Sequence, residues 1–139
     1  MRRFLFFAIP LLILTMGLFQ FAQEALGLQL DPRQLSPSGG IELPAWVQLA
    51  TWGLEALGLA SLYLLIHGGG GREGGGCVSG LLAGWIAWVF RGPLLVVTVV
   101  GFTGVAPGPW WTLVFSWWIL YSLCGLLLGG VARAAGLTA

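Results

Sequence analysis

Apolar residues in this chain run on in four long blocks, at about residues 4–22, 45–66, 77–105 and 110–132. Each block is close to or above the roughly 20 residues an α-helix needs to cross a hydrocarbon core about 30 Å thick. The first and fourth carry no charge, the second carries only Glu55 and the third only Arg91. The first block follows Arg2 and Arg3, as the apolar centre of a signal peptide would. It is nevertheless as long as a full span, and no small-x-small cleavage site follows at Phe21-Ala22-Gln23-Glu24, so it is read as a retained helix. The pattern predicts an all-α fold: residues 1–139 as a single integral membrane domain, a four-helix bundle with a long loop between its first two helices.

Composition sharpens this reading. Hydrophobic residues make up 58% of the chain and charged residues 8%. A soluble domain carries roughly 25% charged residues, so a water-facing surface cannot be built from this sequence, and the same numbers exclude a disordered chain. With a net charge of +1 and no lysine, there is no basic face for phosphate contacts, and nucleic acid is not an expected partner. The expected location is a bacterial inner membrane or a thylakoid. The two cysteines, Cys77 and Cys124, match neither a zinc motif nor a redox pair and read as small buried hydrophobes.

Arginine placement predicts orientation. With the N-terminus inside, Arg2, Arg3, Arg72 and Arg133 lie on the cytoplasmic side and only Arg33 lies outside, as the positive-inside rule requires. Both termini are then cytoplasmic, and Trp46, Trp110 and Trp111 fall at the outer boundary. The first loop, about 23–44, is rich in turn residues such as Asp31-Pro32 and Ser36-Pro37, with a short interfacial helix near residues 24–30 as a further expectation. The second, from His67 through Arg72 to Gly76, lacks the Gly-Lys-Ser/Thr of a phosphate loop and reads as a flexible linker. The third, 106–109, reads as a tight turn whose Pro109 starts the last helix. No internal repeat is evident.

Glu55 and Arg91 carry the most information. Helical rise places both about 15–20 Å along their spans, near mid-depth, on consecutive antiparallel helices. A lone charge there costs at least about 2.5–3.5 kcal/mol, and a guanidinium offsets much of that by two-pronged hydrogen bonding to a carboxylate. An intramembrane ion pair is therefore predicted. Its plain role is to fix helix register; the alternatives are ion or proton movement, or contact with a cofactor or partner. Gly92-Pro93 follows Arg91 and predicts a kink or break in the third helix, because Pro93 removes a backbone bond and clashes with the carbonyl of Val89.

Two small-xxx-small patterns, Gly80/Gly84 and Gly125/Gly129, predict close packing of the third and fourth helices or contact with another protein. Trp85, Trp88, Trp117, Trp118 and Tyr121 lie too deep for a boundary belt. Packing or lipid contact explains them most simply; a flat apolar ligand, such as a quinone, carotenoid, chlorin or lipid, is the sharper reading. No cofactor is otherwise expected. His67 reads as a boundary histidine. With no metal motif and no base beside its hydroxyls, the chain has little catalytic inventory. The expected function is a non-enzymatic accessory or scaffold subunit of a larger membrane complex, in contact with lipids and with other subunits or a second copy. The alternatives are a small proton- or ion-coupled transporter using Glu55 and Arg91, and a quinone- or pigment-binding component.

Overall fold

A computed structural model describes residues 2–27, 44–69, 76–103 and 108–137. The elements are α1 (Arg2–Ala25), α2 (Ala45–Gly69), α3 (Gly76–Val89), a π-helical turn (Phe90–Leu94), α4 (Leu95–Thr103) and α5 (Gly108–Ala134). Four helical segments, Arg2–Ala25, Ala45–Gly68, Gly76–Phe102 and Trp110–Ala134, are long and apolar enough to cross a membrane. The described residues are helical apart from short turns, and these four segments mark the chain as a membrane protein. Their hydrophobic residues are spread around the helix rather than gathered in a stripe, as helices surrounded by lipid require. Ring after ring of large side chains points outward, including Phe6, Phe21, Leu54, Leu65, Phe102 and Phe115.

The third span does not stop at Pro93. It passes through the π turn, in which Leu95 N–H bonds Gly92 O, and continues as α4. A wider turn of this kind accommodates a residue that lacks an N–H, and such turns concentrate at functional positions. Gln23, Glu24 and Ala25, which the sequence pattern places at the start of the first loop, instead complete α1, and Gly27, two residues past its end, has φ of 65°. Residues 28–43, with Arg33 and the remainder of the expected interfacial helix, lie outside the described residues, as do 70–75 with Arg72, and 104–107. Pro109 stands in the first turn of α5, where a missing N–H leaves no helical bond unmade.

Pairs of contacts give the topology. Gln20 bonds Gln48 and Phe4 stacks on Tyr63, so α1 and α2 are antiparallel. Gly80 faces Gly125, and Trp88 reaches Val114, so α3 and α5 are antiparallel too. Glu55 meets Tyr121 while His67 meets Leu137, so α2 and α5 run the same way. Consecutive spans are neighbours and α1 closes the ring against α5. One end of the bundle gathers Arg2, Arg3, His67 and Arg133; the other gathers Gln23, Trp46 and Trp110.

At the arginine end α5 is closed by paired backbone bonds, Leu137 N–H to Ala132 O at 2.9 Å and Gly136 N–H to Arg133 O at 3.1 Å. This arrangement needs a left-handed residue, and Gly136 supplies φ of 69°. His67 Nε2–H then donates to Leu137 O at 3.2 Å, tying the chain's last described residue to α2. The same imidazole stacks on Tyr63, whose other neighbour is Phe4. Below these rings the interior is apolar: Ala8, Leu12, Leu59, Ala60, Cys124 and Leu128 are all buried.

Candidate functional site

The bundle interior changes character halfway along. On the arginine side it is packed with alkyl and aromatic groups; on the other side it opens into a polar cavity of about 70 Å³. Its lining includes Gln20 and Gln23 from α1, Trp52 and Glu55 from α2, Arg91 from the π turn and Trp117 from α5. At least about 10–15 Å³ is needed per water, so the space suits a few waters or a very small polar solute. The four spans each supply a polar or aromatic side chain, because helical register puts Gln20 and Gln23, three residues apart, on one face of α1.

Arg91 Nη1 lies against Glu55 Oε1, and the two side chains retain 39% and 17% of their surface exposed. The contact is ionic; Oε1 receives no aligned hydrogen bond. The other carboxylate oxygen, Oε2, accepts from Tyr121 Oη–H at 3.3 Å. On its far side the guanidinium sits over the indole of Trp117, 5.4 Å from the ring centroid, within the distance at which a cation is held by an aromatic face. Arg91 therefore faces a carboxylate and a π-surface at once. The π turn places it there: Gly92, the next residue, packs against the Trp88 indole, which would meet an added Cβ at 3.0 Å. The Gln20–Gln48 bond of 2.6 Å closes the wall between α1 and α2, while Gln23 Nε2 is buried with no hydrogen-bond partner among the described atoms.

Tyr121 is 3% exposed, and among the described residues its hydroxyl is the hydrogen-bond donor to Glu55, beside the ionic contact of Arg91. Tyr121→Phe is expected to cost about 1 kcal/mol, the ordinary worth of one such hydrogen bond, measured as a lowered midpoint of thermal unfolding in mild detergent.

The glycines form a separate feature. A Cβ at Gly80 would strike Gly125 O, one at Gly84 would strike Tyr121 O, and one at Gly129 would lie 2.6 Å from Gly76 O. The backbones of α3 and α5 thus touch directly over the cationic half of the bundle. Beyond the seam, Trp85 Nε1–H donates to Ser122 Oγ at 3.1 Å, and Trp88 Nε1–H to Val114 O at 2.9 Å. These two indoles bridge α3 to α5.

Of the five deep aromatics, then, Trp85 and Trp88 are helix bridges, Trp117 lies under Arg91, Tyr121 bonds Glu55, and Trp118 faces outward. They do not share one face. Four hydroxyls towards the outer surface are served by their own helices: Thr51, Thr98, Ser116 and Ser122 each donate to the carbonyl four residues back. Cys124 is buried and Cys77 partly so, both as free thiols. Among the described residues no cluster of three His, Cys, Asp or Glu side chains is placed to hold a metal.

Sequence reasoning missed the glutamines. Gln20, Gln23 and Gln48 are the amides within the described helices, and all three fall at the same end of their spans. That coincidence is a legible signal of a polar pocket, hidden by the attention that formal charges attract. Taken as a class, the chain is an all-helical membrane protein with a half-bundle polar site. Comparisons with protein-family models, curated proteins and solved structures gave no match.

Proposed function

We propose that this chain is a non-enzymatic accessory or scaffold subunit of a membrane complex, and that the Glu55–Arg91 pair is an intramembrane register pin whose open side meets a partner. The observation that carries the reading is the 39% of the Arg91 side chain left exposed at the level of the bundle's middle. Part of that surface lines the polar cavity; lipid tails do not tolerate a guanidinium, so a polar surface from another subunit belongs over the rest. The apolar interior from Leu12 to Phe4 supports the same reading, because it offers no polar route onward from the cavity to the arginine end. Placing both termini in the cytoplasm puts Arg2, Arg3 and Arg133 on the side that positive charge favours.

A second reading rests on the cavity itself. Glu55 and Arg91 in the wall of a small polar cavity are the parts a small proton- or ion-coupled transporter needs, with the π turn as the irregular element. Glu55→Gln separates the two. For a scaffold, native sizing after gentle extraction shows the variant dissociating from its complex or losing stability. For a transporter, the variant assembles normally and flux into proteoliposomes stops. A wild-type chain that extracts as a clean monomer without partners contradicts the scaffold reading.

A further inference from the structure

A second depression lies outside the bundle, between α1 and the last turns of α5, with a volume of about 670 Å³. That falls within the roughly 300–1,000 Å³ of ordinary ligand sites. Arg3 stands at its mouth, Phe7, Leu11 and Leu14 form one wall, and Ala134 and Ala135 form the other. The α1 residues recur at helical spacing on one face, and the two alanines leave the gap that larger side chains on α5 would fill.

We propose that this groove binds an anionic phospholipid, with the phosphate at Arg3 and one acyl chain laid along Phe7, Leu11 and Leu14. Length fits the occupant. From Arg3 to Leu14 the helix rises about 16 Å, which is the depth of one leaflet, half of a hydrocarbon core of about 30 Å. Charge fits it as well. Arg2, Arg3 and Arg133 are all exposed at this end, and the described carboxylates, Glu24 and Glu55, lie at the far end and the middle. The cationic mouth therefore sits at headgroup level, and the apolar wall begins one turn deeper. A third depression, lined by Arg2, Arg3, Phe6 and Phe7, shares Arg3 and Phe7 with the groove and extends the cationic rim. The site is independent of whether the chain serves as a subunit or a transporter; it requires only that the bundle stand in a bilayer.

The test is native mass spectrometry of the purified full chain in detergent, titrated with phosphatidylglycerol or phosphatidylcholine of identical acyl chains. Phosphatidylglycerol is expected to be retained about fivefold more strongly, the factor that one arginine near a headgroup contributes. Arg3→Gln, on an exposed side chain, should remove most of the preference for phosphatidylglycerol without altering helicity, Arg2 and Arg133 leaving a small remainder. Leu11→Trp fills the groove while keeping the charge, and should weaken retention of both lipids. Inorganic phosphate at millimolar concentration should displace neither. Equal retention of the two lipids, an Arg3→Gln variant that binds like wild type, or displacement by free phosphate overturns the proposal. So does a Leu11→Trp variant that alters oligomeric mass while lipid retention stays the same, since the groove would then hold a helix of another chain.

Discussion

Gly125→Ala is expected to destabilise the protein by at least about 2 kcal/mol, while Gly130→Ala, further along the same helix, is expected to stabilise it by up to about 1 kcal/mol. The two changes are chemically identical and differ only in what the new methyl meets. At Gly125 it would collide with Gly80 O and lie 2.8 Å from the carbonyl carbon of Gly80 and 3.1 Å from Leu81 Cα. These are backbone atoms that no rotamer change can move aside, so the two helices must separate and lose the seam on which they pack. At Gly130 nothing lies within 4 Å, and alanine simply removes the freedom that glycine loses on entering a helix. Unfolding in mild detergent, followed by helical circular dichroism, gives both values. Equal effects of the two substitutions would show that α3 and α5 do not touch over these glycines.

The second large effect concerns the charge pair. Arg91→Met should cost about 3 kcal/mol, because Glu55 is then left as a carboxylate without a cation near mid-depth. Glu55→Leu combined with Arg91→Met should recover most of that loss, since replacing a buried pair by apolar side chains is often neutral or stabilising. Recovery should fall short by about 1 kcal/mol, because Tyr121 loses the oxygen to which it donates. The full cycle of single and double variants, read by the same unfolding assay, yields the coupling energy directly. A double variant no better than Arg91→Met alone would mean that Glu55 and Arg91 act independently.

Much of the architecture was legible because lipid is a demanding solvent. Four uninterrupted apolar blocks admit one secondary structure, since every backbone group must be satisfied within the segment. The helices overrun the apolar blocks, α1 from Arg2 to Ala25 and α5 from Gly108 to Ala134, because polar residues at a span's ends extend a helix into the interface without penalty. Gly80, Gly84, Gly125 and Gly129 carried a spacing that marked them, and the structure sets them against one another. Other features had no local signal. Proline at 93 predicts a disturbance, but its form, a π turn through which the helix continues, is not in the local sequence: Gly92 packs against Trp88 one turn back and against Val114 of α5, 22 residues on. By sequence Tyr121 reads with the tryptophans as a packing or apolar-ligand contact; its bond to Glu55 spans 66 residues and has no signal in its neighbours. The bond of His67 to Leu137, separated by 70 residues, is of the same kind. The glutamines mark the polar end of the bundle, but the size of the cavity there escapes sequence reading, because it is set by what fails to meet.

The position of Arg91 also bears on how such a chain is made. Glu55 is synthesised with the second span and its counter-ion only with the third, so a ribosome-bound intermediate carries the acid alone while the intervening linker is being translated. Until then the second span gains least from leaving the translocon, and a natural resolution is for the two to partition into the bilayer together as a hairpin. Lengthening the glycine linker would prolong that wait, and the nascent protein would become a better target for membrane quality-control proteases although its finished form is unchanged.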